Sequence, residues 1–211
     1  MSKSKFIVIE GGEGAGKTTI INGLKSCLDG SSFLFTREPG ATDLGKELRR
    51  LLLGQSTDNP MTPLTEMCIF AADRADHLAK VVKPALESRK SVICDRFASS
   101  TFAYQVRARP DGGDQERLFH DLHRPILQIA QPTYYLLLDL PVEVAFKRLE
   151  KAGKDLDGIE QRGKEFHERV REGLKEYVVG SGAKFDVLNA DLPEKELLLK
   201  VVDLINCHLD E

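Results

Sequence analysis

A glycine-rich stretch near the amino terminus contains residue types that bind phosphate. Residues 11–19 read GGEGAGKTT, and Gly11, Gly16, Lys17 and Thr18 have the spacing G-x-x-x-x-G-K-[ST]. The backbone N–H groups of such a loop surround an anion, while the lysine reaches the phosphates and the hydroxyl binds Mg²⁺. The predicted nucleotide-binding residues are Gly11, Gly12, Glu13, Gly14, Ala15, Gly16, Lys17, Thr18 and Thr19. The stretch therefore predicts a site for ATP or GTP with Mg²⁺.

The elements around this loop support the same interpretation. The apolar run at residues 6–9 predicts a strand that enters the loop, and a helix is predicted from Lys17 to Leu28. The positive end of that helix dipole favours a bound phosphate. A glycine-rich turn that merely contains a lysine is the alternative, and it does not require the strand or the helix.

Short aliphatic runs recur along the chain and alternate with segments of helical spacing. The runs are KFIVIE, SFLFT, SVICD, TYYLLLD and KFDVLNA. This alternation predicts an α/β fold with a doubly wound, five-stranded parallel sheet and helices on both faces, in a single domain of residues 1–211. Ligands bind at the carboxyl ends of such strands, where Glu10, Asp95 with Arg96, and Asp139 follow three of the runs.

The composition indicates the class of partner. The chain is 41% hydrophobic and 30% charged, with a net charge of −3, so the basic excess of nucleic-acid binders is missing. No apolar run is long enough for a signal sequence or a membrane span. The four cysteines are far apart in sequence and are predicted to be reduced thiols. We expect a cytoplasmic protein that acts on small molecules, with no nucleic-acid or membrane partner.

A second stretch, CDRFASSTFAYQ at residues 94–105, places a carboxylate and a guanidinium side by side at a predicted strand end. Asp95 is predicted to bind Mg²⁺ through water, and Arg96 to neutralise charge on the transferring phosphoryl group. A salt bridge within the loop is the alternative for this pair.

A long helix is predicted from Thr62 to Ser88, with a kink at Pro84. Phe70 and Arg74 project from the same side of this helix at i and i+4, so an aromatic plane and a donor fork could bind a nucleobase. A core-edge phenylalanine with a solvated arginine is the alternative. The predicted core stripe of the helix consists of Leu64, Cys68, Ala71, Ala75, Leu78 and Val82.

Two histidine patterns do not make convincing metal sites. His120 and His123 lack nearby further ligands, and His167-Glu168 is followed by Arg171 where an H-E-x-x-H site needs histidine. We interpret these histidines as surface or interhelical residues. The guanine-binding motif Asn-Lys-x-Asp of GTPases is also missing, which makes a signalling GTPase the weaker interpretation.

Five motifs follow one another at the distances found in one family: EGGEGAGKTT, TREPGAT, FAADR, DRFASSTFAYQ and YLLLDLPVEVAFKR. In these the chain resembles the bacterial thymidylate kinases over nearly its whole length. Only residues 106–114 and the lid at about 151–165 look unusual. The resemblance implies that the chain transfers a phosphoryl group from ATP to dTMP in the pathway to dTTP, requires Mg²⁺ and forms a homodimer.

The resemblance also implies roles for residues of the acceptor pocket. Phe70 would stack on thymine, and Arg74 would donate to its 4-carbonyl group. Thr101 and Gln105 resemble the residues that complete the base pocket. Tyr104 matches the tyrosine that packs against the 2′-carbon and leaves no room for a ribose hydroxyl.

Charged residues are assigned by the same resemblance. Glu13 matches an acidic residue near the 3′-hydroxyl of the acceptor sugar, and a solvated loop carboxylate is the alternative. Arg49 and Arg96 resemble the arginines that clamp the acceptor phosphate, while Arg37 and Glu38 of the REPG turn are expected to line the site. The predicted catalytic residues are Glu13, Lys17, Arg96 and Arg162.

The sequence departs from the family pattern at two places. Gly158 stands where family members with an acidic loop residue carry a lid arginine, so Arg162 or Lys154 would have to supply that charge. Arg107 and Arg109 stand where a glycine-rich turn is common, and they could contact phosphate or lie on the surface. Two other functions stay open on the sequence: a kinase for another nucleotide or nucleoside, and a nucleotide-binding switch or ATPase without an acceptor.

Overall fold

A five-stranded parallel sheet forms the centre of the molecule. The computed structural model describes residues 4–54, 61–109, 112–151 and 163–210. The strands are β1 (Phe6–Gly11), β2 (Phe33–Arg37), β3 (Ser91–Asp95), β4 (Tyr134–Asp139) and β5 (Lys184–Asn189). Their order across the sheet is β2-β3-β1-β4-β5, and every neighbouring pair is parallel. The predicted fold class and strand number are confirmed.

Helical segments connect the strands. The α-helices are α1 (Lys17–Cys27), α2 (Asp43–Leu53), α3 (Pro63–His77), α4 (Lys83–Glu87), α5 (Ala98–Thr101), α6 (Gly112–Leu127), α7 (Val142–Lys151), α8 (Lys164–Gly180) and α9 (Glu194–Asp210). Two π-helical turns, Leu78–Val82 and Phe102–Arg107, continue α3 and α5.

The strand register brings the predicted polar strand ends together. Ile9 of β1 pairs with Asp95 of β3, which also pairs with Arg37 of β2. On the other side, Gly11 of β1 pairs with Leu138 of β4. The glycine-rich loop therefore leaves the sheet between the two strand ends that carry Asp95 and Asp139, at the switch point where α/β sheets bind ligands.

Alternate residues of the strands pack on opposite faces of the sheet. Ile7 and Ile9 face a cluster covered by α1 and α9, whereas Phe6 and Val8 face a cluster covered by the α3–α4 segment, α6 and α8. All four side chains are fully buried. Burial on both faces explains why β1 reads as a continuous apolar run without alternation.

The predicted long helix exists, but its irregularity precedes Pro84. Backbone N–H of Lys83 bonds the carbonyl of Leu78, five residues back, so the π turn lies between α3 and α4. Proline has no N–H and its ring crowds the carbonyl four residues earlier, so the wider turn accommodates it. Helical structure thus runs from Pro63 to Glu87, close to the predicted bounds.

The predicted core stripe of this helix is partly wrong. Leu64 is 50% exposed and Cys68 is also exposed, whereas Met67, Ala71 and Leu78 are buried. Four polar residues share the buried side: Glu66, Asp73, Arg74 and His77. Apolar spacing alone misplaced the stripe because the helix buries these polar groups: Asp73, Arg74 and His77 contact β2 or the loop after it, and Glu66 pairs with Arg109.

The described residues contain no helix long and apolar enough to cross a membrane. All four cysteines, Cys27, Cys68, Cys94 and Cys207, are free thiols, as predicted.

Candidate active site

The glycine-rich loop has the backbone of an anion site. Gly14 and Gly16 have φ angles of 70° and 87°, which other residues adopt only with strain. A side chain at Gly14 would also meet the backbone of Ala145 at 3.0 Å. The loop ends where α1 begins at Lys17, so the first N–H groups of the helix point toward the loop.

Lys17 lies inside this loop. Its Nζ donates to the carbonyl oxygens of Gly11 at 2.7 Å and Gly12 at 3.0 Å, and the residue is buried. Burial and the nearby charge of Arg96 lower its pKa. Thr18 and Thr19 follow it on the exposed side of the first helical turn, so both hydroxyls are accessible.

Glu10, one of the polar residues predicted at the strand ends, is a buried carboxylate whose partners the sequence did not reveal. Its Oε1 accepts from the backbone N–H of Phe97 at 2.9 Å and from the Ser99 hydroxyl at 2.6 Å, and its Oε2 accepts from the Ser100 hydroxyl at 2.8 Å. These bonds fix the segment that follows β3 to the end of β1. A charged residue at the end of an apolar strand was the only available signal.

The segment after β3 contacts the glycine-rich loop directly. Arg96 forms a close ion pair with Glu13, and its guanidinium also donates to the Ser100 hydroxyl at 3.2 Å. The Tyr104 hydroxyl donates to Glu13 at 3.0 Å. Arg96 has a φ angle of 65°, an unusual conformation for a non-glycine residue, which is often retained at functional sites.

The electrostatic environment keeps Glu13 ionised. Burial alone would raise the pKa of this carboxyl, but the positive charges of Arg96 and Lys17 outweigh burial and lower the pKa to about 2. The alternative of a solvated loop carboxylate is therefore wrong, because its side chain is only 24% exposed.

Arg96 also belongs to a group of three arginines. Arg37 ends β2, Arg49 lies on α2 and donates to the carbonyl oxygen of Pro39 at 3.1 Å, and Arg96 follows β3. Burial and the charges of the other two arginines lower the pKa of Arg49. Mutual repulsion of this kind indicates a place where an anion would be stabilised.

Arg74 lies at a different, fully buried part of the site. Its Nε is 2.8 Å from Oε2 of Glu38 without hydrogen-bond geometry, and its NH2 group donates to the Thr101 hydroxyl at 3.0 Å. Only 1% of Arg74 is exposed. The other carboxylate oxygen of Glu38 contacts Nδ1 of His77 at 2.8 Å. The alternative of a solvated arginine is therefore wrong. Glu38 contacts the Nε side of the Arg74 guanidinium, away from its terminal nitrogens.

The remaining predicted pocket residues lie on α3 and on the segment after β3, and Thr101 contacts this arginine. Phe70 is half-buried one helical turn before Arg74. Thr101 and Gln105 are buried on the segment after β3, and the Oε1 atom of Gln105 has no hydrogen-bond partner among the described residues. Asp95 likewise keeps a buried Oδ1 without a donor in the part of the chain that the structure describes.

Comparison with known proteins identifies the family of this chain. The family model described as Thymidylate kinase matches residues 9–201. The chain belongs to the thymidylate kinase family. The thymidylate kinase of Trichormus variabilis is 36% identical over 98% of both chains, and that of a Synechococcus species is 45% identical over 81% of this chain and 79% of its own. A crystal structure of thymidylate kinase from Ehrlichia chaffeensis superimposes with a TM-score of 0.73 at 26% identity, covering 96% of this chain and 98% of the other.

Family membership decides the activity. The chain is a phosphotransferase of nucleotide biosynthesis that phosphorylates dTMP, and the family uses ATP as the donor. A kinase for a different acceptor and an ATPase without an acceptor were the alternatives on the sequence, and thymidylate kinase membership decides against both.

Other predicted residues have partners outside the site or are not described. Arg107 bonds Glu116 at 2.7 Å and Glu176 at 2.5 Å, and Arg109 forms a close ion pair with Glu66. These ion pairs occupy both guanidinium groups without a phosphate; Arg107 is partly exposed, whereas the side chain of Arg109 is only 14% exposed, so the surface alternative does not hold for Arg109. Arg162, with Lys154 and Gly158 of the lid, lies outside the described residues.

The histidines form no metal site. Among the described residues, no three His, Cys, Asp or Glu side chains are grouped closely enough to bind a metal ion. His123 and His167 are buried, whereas His120 is exposed. His123 contacts Arg74, an interaction between α6 and α3 that the sequence did not predict.

Proposed function

We propose that the glycine-rich loop with Lys17 binds ATP and that the group of three arginines binds dTMP. Donor and acceptor would meet at the Glu13–Arg96 contact. This contact is the observation that carries the proposal, because it joins the glycine-rich loop directly to the segment after β3. A loop that only hydrolyses nucleotide does not require such a junction. Lys17 and the loop N–H groups would hold the ATP phosphates.

The acceptor phosphate would lie among Arg37, Arg49 and Arg96. Their mutual repulsion supports this assignment, since an incoming dianion relieves it. Arg96 would move from Glu13 toward the phosphate, or contact both. Holding two polyanions in line in this way can lower the barrier by roughly 7–11 kcal/mol in favourable cases, so no general base is needed.

The acceptor base would bind between Phe70 and the terminal nitrogens of Arg74. A guanidinium donates to the 4-carbonyl of thymine, whereas cytosine presents an amino group that would set donor against donor. Loss of a hydrogen bond to a charged group costs about 1.5–3 kcal/mol, or roughly ten- to a hundred-fold in kcat/KM. Thr101 and Gln105 would complete the pocket.

The acceptor sugar would pack against Tyr104. Its hydroxyl bridges Arg96 and Glu13, at 3.5 Å and 3.0 Å, which keeps the ring at a fixed position beside both charged groups. A ring fixed at the 2′-carbon would exclude a ribose hydroxyl on steric grounds, and Glu13 would face the 3′-hydroxyl. Burial raises the pKa of Tyr104, so the phenol stays neutral.

Thr18 and Asp95 fit a Mg²⁺ ion. Thr18 presents an exposed hydroxyl, and Asp95 has a carboxylate oxygen without a donor among the described residues. Mg²⁺ takes oxygen ligands and retains several waters and phosphate oxygens, so two protein groups are sufficient. A bound ion would reduce the negative charge of the ATP phosphates. The catalytic charge that we assign to Arg162 would add to it from the lid.

We further propose that the chain forms a homodimer through α2 and α3. Leu44 and Leu51 are 49% and 44% exposed on α2, and Leu64 is 50% exposed on α3, beside the exposed Cys68. Exposed apolar side chains on two packed helices are typical of a subunit interface. Leu78, on the π turn that continues α3, is fully buried and would not take part. We also propose a cytoplasmic location, which the free thiols support because the cytoplasm is reducing.

The dimer is tested by sedimentation of the double variant Leu51→Glu with Leu64→Glu. We expect a dimer for the wild type and a monomer for the variant, because four buried carboxylates would cost several kcal/mol. Leu199→Glu is the control, since Leu199 is 65% exposed on α9. A wild type that sediments as a monomer would exclude the interface.

The substrate roles are tested by ADP production from MgATP with dTMP, dUMP, dCMP, dGMP and thymidine as separate acceptors. We expect dTMP to be the best acceptor, with dUMP closest to it because one methyl group contributes only about 1 kcal/mol. Arg74→Ala should reduce kcat/KM for dTMP far more than ATP binding, while Arg117→Ala, at a side chain 93% exposed, should change neither. Unchanged dTMP kinetics in Arg74→Ala would refute the pocket assignment.

A further inference from the structure

The base-reading arginine has a buried partner on α6 that no sequence pattern indicated. Nε2 of His123 makes a close contact with NH1 of Arg74, and both residues are almost completely buried. The ring of Phe97 lies 4.9 Å from the guanidinium carbon on another side. With Glu38 and Thr101, three parts of the chain outside α3 therefore hold this side chain, and α6 contributes the imidazole.

The hydrogen-bond pattern determines which nitrogen of His123 carries the proton. Nδ1 lies 2.7 Å from the carbonyl oxygen of Phe119, and a carbonyl can only accept. Nδ1 is therefore the donor, which leaves the lone pair of Nε2 to accept from Arg74. The imidazole stacks on the Phe119 ring at a centroid distance of 4.0 Å, so its orientation is fixed.

A neutral imidazole is the form that this environment favours. Burial and the charge of Arg74 lower the pKa of His123 to about 3. The protonated form would also place a donor against the donor of Arg74. A carboxylate in the same place would add to the negative charge of Glu38 and Asp73, whereas imidazole accepts a hydrogen bond without adding charge.

The two terminal nitrogens of Arg74 are thus each oriented by a neutral acceptor. NH1 has His123 and NH2 has the Thr101 hydroxyl, and each nitrogen keeps one further N–H. Removing one acceptor would leave a buried N–H of Arg74 without a partner. The guanidinium plane would then no longer be fixed at that nitrogen. Base recognition depends on that plane.

We propose that His123 is a positioning residue for acceptor-base recognition, which acts by fixing the guanidinium plane of Arg74. The proposal rests on the proposed contact between Arg74 and the thymine 4-carbonyl. His123 itself does not contact the substrate in this scheme. Its effect is therefore confined to binding and selection of the base, with no effect on ATP.

The test compares His123→Leu, which removes the acceptor at similar volume, with His123→Gln, whose amide oxygen can replace Nε2. We expect His123→Leu to lower kcat/KM for dTMP by about ten-fold or more and to reduce the preference for dTMP over dCMP, with the KM for ATP unchanged. His123→Gln should restore most of both values. His120→Leu, on the same helix and exposed, is the matched control and should match the wild type.

A purely structural histidine would give a different result. Equal dTMP selectivity in His123→Leu and the wild type would overturn the proposal, as would a failure of His123→Gln to restore selectivity in a folded protein. The selectivity of the wild type tests the base contact of Arg74 separately from the role of His123. A wild type without preference for dTMP over dCMP refutes the role of Arg74 and with it that of His123. A selective wild type with an unaffected His123→Leu refutes only the role of His123.

A second measurement does not depend on the variants folding. In the ¹⁵N-labelled wild type, two-bond ¹H–¹⁵N correlation spectra report the tautomer of each histidine. We expect His123 to remain neutral with its proton on Nδ1 between pH 5 and 8. A proton on Nε2, or a doubly protonated ring in that range, would overturn the proposed hydrogen bond to Arg74.

Discussion

The two ends of the proposed acceptor site, which we assign to the base and to the phosphate, carry opposite excess charge. At the base end, Arg74 is enclosed with two carboxylates, Glu38 and Asp73, all of them at most 4% exposed. Burial and the charge of Glu38 raise the pKa of Asp73 from 3.8 to about 6. The base end therefore contains more negative charge than its single arginine neutralises.

At the phosphate end the imbalance has the other sign. Arg37, Arg49 and Arg96 lie together beside two carboxylates, Glu13 and Asp95, so positive groups outnumber negative ones. Burial and the charges of the other two arginines lower the pKa of Arg49. Here a bound anion would offset the positive excess, whereas the negative excess at the base end would disfavour an anionic ligand. This difference matches a substrate with a neutral base at one end and a dianion at the other.

The two ends also differ in how their arginines are held. Arg74 has partners on three sides and its backbone is part of a regular helix, while Arg96 adopts a φ angle of 65° in a turn. Hydrogen bonds from the backbone of that turn to Glu10 keep it in place. A fixed fork suits recognition of a planar base, and a strained turn suits a group that must reach a phosphate.

The largest effect is expected from removing a positive charge at the phosphate end. Arg96→Ala should lower kcat by about a hundred- to a thousand-fold, the usual cost of losing one donor that stabilises transition-state charge. Steady-state kinetics with saturating ATP and dTMP measures it. A loss confined to the KM for dTMP would mean that Arg96 only binds the acceptor and does not act on the transition state.

Arg96→Gly separates the chemical role of this residue from its backbone strain. Both variants lose the side chain, but only glycine adopts positive φ freely, so Arg96→Gly should be more stable than Arg96→Ala by about 1 kcal/mol and equally inactive. Urea unfolding of the two variants gives the difference. Equal stability would show that the turn is unstrained.

The sequence predicted the glycine-rich loop more completely than the base end. The loop is local, so its spacing predicted the strand, loop and helix order that the structure has from Phe6 to Cys27. The role of Glu10 required the pairing of β1 with β3, which brings it to Phe97, 87 residues away. Only a charge at the end of an apolar run pointed to it.

At the base end, the sequence identified Arg74 but not what surrounds it. The periodicity of apolar residues placed Leu64 and Cys68 in the core, because a helix that buries polar groups has no simple apolar stripe. Glu38 was expected to line the site, and it lies behind Arg74. His123 is 49 residues from Arg74, and no local pattern reveals a contact between two helices.

An intermediate effect is expected from removing a negative charge at the base end. Since the folded pKa of Asp73 lies near 6 and the ordinary value is 3.8, folding favours its protonated form. The protonated carboxyl adds to the free energy of unfolding below pH 4, and this contribution is lost as the pH rises through 6. Asp73→Asn, whose oxygen can still accept from Gly40, should therefore stabilise the protein by about 1–3 kcal/mol at pH 8 and by much less at pH 4.

The matched control for this variant is Asp76→Asn on the same helix. Hydrogen bonds from the Lys80 and Thr42 side chains lower the pKa of Asp76, so its ionised form favours folding at neutral pH. We expect Asp76→Asn to lower stability at pH 8 and to have little effect well below pH 4. Urea unfolding at several pH values measures both variants. A destabilising Asp73→Asn at pH 8 would contradict the excess negative charge of the base end.

The smallest effect is expected at Arg107, which belongs to neither end. Its guanidinium bonds Glu116 and Glu176 and lies 4.7 Å from the centre of the Phe102 ring, so it joins the turn after α5 to α6 and α8. Because all three charged groups are partly exposed, Arg107→Gln should cost only about 1 kcal/mol and leave kcat/KM for dTMP and ATP within about two-fold. Thermal unfolding and steady-state kinetics measure the two quantities. If the KM for either nucleotide rose by ten-fold or more, Arg107 would be a phosphate contact, and the positive region of the site would extend beyond the three arginines at the sheet edge.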